Sequence, residues 1–375
     1  MKVTVSQQQL AHGLGIVSRA VSTRSTLPVL ANVLVATDEG RLRLSATDLE
    51  LGITCWVGAQ IQEEGSVTVP ARTFADLINA LPNDLVSLDL NNNNQTLRVR
   101  CLQSFTDIKG IDAQEFPPMP VPGPNDGIEL NVSTIKEMIQ QVAFAASSDE
   151  ARPVLQGVSL TVSGKDITLA ATDGFRISVR KSTLDEGSPA PMTAIIPARA
   201  LNELARIATD GEQKMKMIVP PGRGQAIFHL KDAELASQLI DGNFPDYKAI
   251  VPRSFKNTTI LTTAAFLKAC KQAEIIARDS NNVVRLDIEP GGEQPGRIEI
   301  RAVSEETGSS ENSIDASVEG PAMKIAFNVR FLREVLEVIK SPSVILLTNA
   351  SNTPGMVQPA GDEDFKHVIM PMHLG

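Results

Sequence analysis

The side chains able to do chemistry in this 375-residue chain are few and scattered. Four histidines, His12, His229, His367 and His373, show neither i, i+4 pairing nor a neighbouring carboxylate cluster, so no metal site and no cofactor is expected. Cys55, Cys101 and Cys270 are odd in number, far apart and in no ligand spacing, as expected for reduced, buried thiols of a cytosolic protein. The GRGQ at 222–225 lacks the Lys-Ser/Thr of a phosphate-binding loop and reads as a turn. Asp48 and Asp173 recur in matching contexts, ATDLEL and ATDGFRI. That recurrence favours a turn role, in which Asp bonds its own backbone, over paired acid–base catalysis. No catalytic residue is expected.

What the chain does offer is positive charge at helical positions. Overall it is acidic, with a formal charge of −9 and a pI near 5.1, which repels nucleic acid unless the basic residues gather on one surface. Aromatic residues make up 4% of the chain, too few for a platform on which single-stranded bases stack. Duplex DNA asks only for cations aimed at phosphates. Six helices are expected at 7–20, 72–81, 134–146, 199–209, 264–278 and 329–340. They carry eleven basic residues, Arg19, Arg72, Lys136, Arg199, Arg206, Lys268, Lys271, Arg278, Arg330, Arg333 and Lys340. Against these stand six acidic ones, Asp76, Glu137, Glu203, Glu274, Glu334 and Glu337. The helices are thus net +5 and the remainder of the chain −14. Such segregation suits helices that face phosphate, with Lys136, Arg199 and Arg206 among the candidates. Cations spread over solvated helix faces would produce the same count.

The elements that position these residues come in repeats. VTVPARTFADLINAL near residue 70 returns as AIIPARALNELARIA near residue 197. In both, a β-branched run leads into a proline at the start of an amphipathic helix, where its missing N–H is tolerated. Arg72 and Arg199 lie 127 residues apart, and Asp48 and Asp173 lie 125 apart. Upstream, RSTLPVLANVLV matches ARPVLQGVSLTV, and two further helices carry the stripes Leu10, Leu14, Val17, Val21 and Ile135, Met138, Ile139, Val142. Ser6 and Ser133 are expected N-caps, and Thr134 with Glu137 a capping box. A third copy supplies TILTTAAFLKACKQAEIIA and IAFNVRFLREVLEVI, with NVR in place of PAR and Arg330 in the arginine position. The copies end alike in EFPPMPVP, NFPDYKAIVP and HVIMPMHL. Three domains are therefore expected, 1–125, 126–253 and 254–375. Each is α+β, with two helices packed on antiparallel sheets made of alternating strands such as LRLSA, VSLTV and IEIRA. No segment approaches the run of about 18 apolar residues needed to span a membrane, and no signal peptide opens the chain, so a soluble, cytoplasmic protein without membrane contact is expected.

With these repeats, the positive helices, and the stretches ATDGFRI, FPDY and VIMPM, the whole chain closely resembles the bacterial sliding clamp family, the β subunits of DNA polymerase III. The resemblance implies a fold of three repeated clamp domains, two chains joining head to tail into a ring around double-stranded DNA, bound without regard to sequence. It implies tethering rather than catalysis, with no cofactor. The implied partners are the DNA polymerase III catalytic subunit, the clamp loader, and other polymerases and mismatch-repair proteins carrying clamp-binding peptide motifs.

Residue by residue, the resemblance implies DNA-facing roles for Arg24, Arg72 and, in the second copy, Arg199. It implies a peptide pocket formed by Arg152, Leu155, Thr172, Gly174, Phe175, Arg176 and Ile177, by Pro245 and Ile250, and by Val368, Met370, Pro371 and Met372. Leu, Ile, Val and Met suit an adaptable apolar groove, with Arg152 and Arg176 as polar anchors at its rim. Leu155 and Ile177 are also what a core strand would carry. Phe105, Ile275 and Ile276 are the implied dimer-interface residues. The chain departs from the family at Pro153 and Val154, where some members carry a tyrosine pair, and at Phe175, where histidine is common. An enzyme with a cleft between repeats would need convergent His, Asp or Lys groups, and a scaffold binding only proteins would make the positive helices coincidental.

Overall fold

The computed structural model describes residues 1–22, 26–120, 127–188, 190–209, 213–220, 222–292 and 295–373. Arg24 lies outside the described residues. All six expected helices are present: α1 (Gln7–Val17), α2 (Ala71–Ala80), α3 (Val132–Val142), α4 (Ala198–Ile207), α5 (Thr263–Ala277) and α6 (Val329–Val338). The first helices of the first two copies end early, each in a 3-10 turn, Ser18–Ala20 after α1 and Ala143–Ala145 after α3. Among the described residues no helix is long and apolar enough to cross a membrane.

The chain packs as two compact units, residues 1–133 with 199–239, and residues 134–198 with 240–375. The second copy is shared between them. In the first unit a 12-stranded antiparallel sheet runs from the edge strand Ser104–Lys109 through Lys2–Ser6 and the long strand Leu51–Glu63 to Ala233–Gln238 and beyond. Leu51–Cys55 pairs with Ala233–Ser237, a strand from the second copy. In the second unit the equivalent step pairs Arg176–Arg180 with Phe365–Ile369 of the third copy within a nine-stranded sheet. Backbone ladders thus run unbroken from copy to copy, as continuous as those inside one copy.

Helices lie on these sheets by the stripes their sequences carry. Leu10, Leu14 and Val17 of α1 are buried, and Gly13 lets the helix settle, since a Cβ there would stand 2.8 Å from Val57 and 2.9 Å from Leu44. Phe74 and Ile78 anchor α2 with no exposed surface, each contributing about 2–3 kcal/mol of burial. Ile135, Met138, Ile139 and Val142 are buried on α3 as expected. In the third copy Phe266, Cys270 and Ala273 of α5 and Leu332, Val335 and Leu336 of α6 share one core with Leu286, Ile300 and Phe327.

Capping differs from expectation. Ser6 occupies the N-cap of α1 without a side-chain capping bond. Helix α3 starts at Val132, so Ser133 and Thr134 lie inside its first turn, and Ser133 Oγ instead donates to Asn131 Oδ1 at 2.7 Å. In α6 Asn328 does cap, accepting from the Arg330 N–H at 3.0 Å.

The two aspartates are turn residues. Asp48 Oδ1 accepts the N–H groups of Glu50 and Leu51, and Asp173 Oδ1 those of Phe175 and Arg176. The residue after each stands at positive φ, Leu49 at 80° and Gly174 at 95°. All three cysteines are free and buried, and burial pushes the Cys55 thiol up to about 11.

Candidate functional site

Several of the helical cations share one arrangement, in which the guanidinium is more exposed than the carboxylate that holds it. On α4 the face formed by Arg199, Glu203 and Arg206 lies opposite the buried Leu201, Leu204 and Ile207. Glu203, with a side chain only 12% exposed, accepts from Arg206 at 2.6 Å and from Arg19 at 3.1 Å. Arg199 bonds Asp48 at 2.6 Å through the carboxylate oxygen that the turn leaves free. On α6 Glu334 receives Arg330 and Arg333, while Arg333 reaches Glu274 of α5 at 2.8 Å and Glu337 at 2.9 Å. Lys271 also bonds Glu337, and Lys340 bonds Glu137. In the pairs of Arg19, Arg199, Arg206 and Arg330 the carboxylate is the less exposed partner and holds the cation in place without covering it, whereas Arg333, 22% exposed, is more buried than Glu337 at 37%. Arg72 is the extreme case, with its side chain 95% exposed and Asp76 3.8 Å away. Lys136 is half-buried on α3. Lys268 on α5 and Arg278 at its C-cap are exposed and make no ion pair among the described residues.

Residues implied for the peptide pocket come together in the second unit, in two layers. Ile177 and Val368 sit directly opposite each other in the ladder and are buried, with Ala170, Val179 and Met356, beneath Phe244, Tyr247 and Val251. Thr172 is buried too, its Oγ donating to the Arg176 carbonyl at 2.7 Å. Above this floor Phe175, Ile250 and Met370 are exposed, Pro245 is exposed, and Leu155, Pro371 and Met372 are half-buried. The tail is held by backbone: the Met370 N–H donates to the Phe175 carbonyl at 2.9 Å, and the Met372 N–H to the Ala326 carbonyl at 2.8 Å. A floor of fixed aliphatics under a rim of Phe, Ile and Met can receive apolar side chains of an extended peptide.

Arg176 is not the rim anchor its type suggested. Its side chain is 8% exposed, bonds Asp173 and Glu334, donates to the Phe144 carbonyl at 2.8 Å, and lies over the Phe331 ring at 4.3 Å. Of the two arginines, Arg152 is the one at the rim, 46% exposed and paired with Asp149 at 2.9 Å. Sequence reasoning missed Glu334, Phe144 and Phe331 as this arginine's housing, because they are brought to it from 32 to 158 residues away.

His367, on the strand that forms the pocket floor, is fully buried. Its Nδ1 lies 2.6 Å from Ser178 Oγ, its ring stacks on Phe144, and its Nε2 has no partner. Burial, and then Arg176, hold its pKa well below 6.5. The folded chain therefore binds fewer protons here than the unfolded chain. This group's contribution is fully present above about pH 6.5 and is lost as pH falls towards the folded-state value, at up to about 1.4 kcal/mol per pH unit. The denaturation midpoint of His367→Gln should consequently fall less steeply between pH 7 and 5 than that of the parent protein; identical slopes would refute the assignment.

Of the interface candidates, Phe105 and Ile275 are large, apolar and exposed, at 63% and 62%. Phe105 lies on the edge strand Ser104–Lys109, with the Arg98 guanidinium over its ring at 5.2 Å and Arg98 itself clamped by Asp107. Ile275 lies on α5, which packs against the strands Arg297–Ser304 and Gly308–Asp315, the latter an edge strand. Ile276 is turned inward and packs against the core of the third copy, so the Ile275–Ile276 pair offers one exposed side chain, not two.

Comparison with known proteins gives the three copies a family. Residues 1–120, 129–246 and 248–373 match in turn the N-terminal, central and C-terminal domains of the DNA polymerase III beta subunit. Proteins named beta sliding clamp are similar over the full length of both chains, at 34% identity in Synechococcus elongatus and 32% in Streptomyces coelicolor. The sliding clamp of Bacillus subtilis superposes with a TM-score of 0.94 at 27% identity, covering all of both chains. A sliding clamp of Pseudomonas aeruginosa bound to griselimycin does so at 0.92 and 28%, again over all of both chains. With its three repeated clamp domains of helices on antiparallel sheets, the chain belongs to the DNA polymerase III beta subunit family.

Proposed function

We propose that the chain is a DNA sliding clamp that encircles duplex DNA as a head-to-tail homodimer and tethers the replicative polymerase, without catalysing a reaction itself. The observation that carries this reading is the charge arrangement of the helices, exposed Arg and Lys heads braced from beneath by less exposed carboxylates. Such heads meet phosphate oxygens at any sequence, and weak contacts of this kind let a protein slide. Enclosure then replaces affinity, and the bound polymerase is kept at high effective concentration. Arg72, Arg199, Arg206 and Lys136 are the proposed DNA-facing residues, together with Arg24 from the sequence.

Partners of stated chemistry fit the second unit. The pocket with Ile177 and Val368 as floor and Leu155, Phe175, Pro245, Ile250, Met370, Pro371 and Met372 as rim suits an extended apolar peptide. We infer that polymerases, the clamp loader and mismatch-repair proteins present such a peptide. Arg152 at the rim favours one that is acidic. Domain boundaries are proposed near 125 and 253; the matched segments change over between 120 and 129 and between 246 and 248. A bacterial replication protein of this kind works in the cytoplasm.

The test is topological. In the presence of a clamp loader the protein should be retained on nicked circular duplex and lost when that circle is cut once. Equal retention on circular and linear DNA would sink the proposal, because a protein held only by phosphate contacts cannot sense the cut.

A further inference from the structure

The peptide pocket of the second unit has a counterpart in the first, bond for bond. Thr47 Oγ donates to the Leu51 carbonyl and accepts the Leu49 N–H, as Thr172 does with Arg176 and Gly174. The Gln238 N–H donates to the Glu50 carbonyl, as the Met370 N–H does to that of Phe175. Gly52 faces Ala236 in the ladder, as Ile177 faces Val368. Residues 117–120 line the groove here, where Phe244, Tyr247 and Val251 pack on the floor of the second unit.

Side chains at these matched positions differ in two ways. Gly52 and Ala236 leave a shallow floor where Ile177 and Val368 build a full one, and Met119 drops into the space: a Cβ on Gly52 would stand 2.6 Å from Met119 Cε. Residual volume remains beside it, a cavity of about 250 Å³ reached by Thr47, Glu50, Pro118, Met119 and Gln238. The second difference is charge. Glu50 stands where Phe175 does, exposed and without an ion pair among the described residues, whereas the rim of the second unit carries Arg152. Asp48 beside it is already held by Arg199.

We propose that this groove is a second peptide-docking site, closed by Met119 and selective for a cationic extended segment through Glu50. The proposal rests on the reading of the second unit as a peptide pocket, which the repeat reproduces. An apolar side chain of the ligand displaces the flexible Met119 thioether, its backbone runs along 236–238, and a lysine or arginine meets Glu50. Acidic peptides suited to Arg152 are repelled here, so the two grooves sort partners by sign.

Two photoreactive pentapeptides, Lys-X-Ser-Leu-Lys and Glu-X-Ser-Leu-Glu with X a diazirine leucine, test this on the full chain, with crosslinks mapped by mass spectrometry. The lysine peptide should label 47–52 and 117–120. Met119→Ala should raise that labelling severalfold by removing the plug. Glu50→Lys, at an exposed position that makes no core contact, should lower it about fivefold, the scale of one rim ion pair. The glutamate peptide should label Phe175 and Met370 equally in all three proteins. Lysine-peptide labelling that ignores Glu50→Lys, or that falls on Phe175 and Met370, overturns the proposal. If only the glutamate peptide fails, the second-unit pocket is misread while the first-unit groove stands.

Discussion

Arg176→Ala is expected to lower the unfolding free energy by about 3 kcal/mol, near the lower limit for breaking a buried ion pair. The side chain is 8% exposed, and its loss strands the free oxygen of Asp173, the Phe144 carbonyl and the space against Phe331. Glu334 suffers less, because Arg330 at 3.8 Å and Arg333 at 3.5 Å remain to it. The converse change, Glu334→Ala, should cost more, about 4 kcal/mol, since it leaves the Arg176 charge buried with Asp173 as its remaining carboxylate. Arg176→Met should fall between the parent and Arg176→Ala by restoring contact with the two rings. Urea denaturation followed by circular dichroism measures all three, the single tryptophan, Trp56, being in the first unit and remote in the chain from the change. A loss below 1 kcal/mol for Arg176→Ala would mean that the charge is solvated in a way its 8% exposure does not allow.

A second large effect is expected at Phe105. An exposed phenylalanine on an unpaired edge strand is a candidate anchor for another chain, and anchors of this kind contribute about 2 kcal/mol or more to binding. Phe105→Asp should therefore raise the dimer dissociation constant at least about 30-fold, giving monomers by light scattering at micromolar protein, while circular dichroism stays unchanged because the ring is 63% exposed. In the proposed head-to-tail dimer the strand carrying Phe105 would meet the partner's third copy at α5 and the edge strand 308–315, and two such contacts would close the ring. Ile275→Lys should weaken the dimer in the same manner, and combining it with Phe105→Asp should recover part of the loss, because the new charges are opposite in sign. Independent, additive losses in the double variant would place the two residues in different contacts.

Much of the architecture was legible along the chain. The stripe on α3, the proline at the head of α2, and the recurrence of Asp48 as Asp173 are local patterns whose physics acts within a few residues, and the structure reproduces them. The early ends of α1 and α3 and the start of α3 at Val132 were not legible, because Asn131 and the flanking 3-10 turns compete with the helix on nearly equal terms. Site residues divide in the same way. Which residues belong to the pocket came from the family resemblance. Which of them face solvent was not.

Arg176 shows the reason. Its identity and its place after the turn follow from sequence, but its burial depends on Phe144, Phe331 and Glu334 arriving from three other elements. Ile276 turns into the core while its neighbour Ile275 stays outside, a choice made by how α5 is rotated on its sheet. The eleven helical cations could be counted from sequence, but only the packing put Glu203 beneath Arg19 and Arg206 and left those two heads more exposed than the carboxylate. The sequence by itself determined the three-copy plan, the helices and the sign of their charge, because periodicity and composition act locally. The tertiary structure alone decided exposure, ion-pair partners and the joining of copies into continuous sheets, because those depend on contacts between residues far apart in the chain.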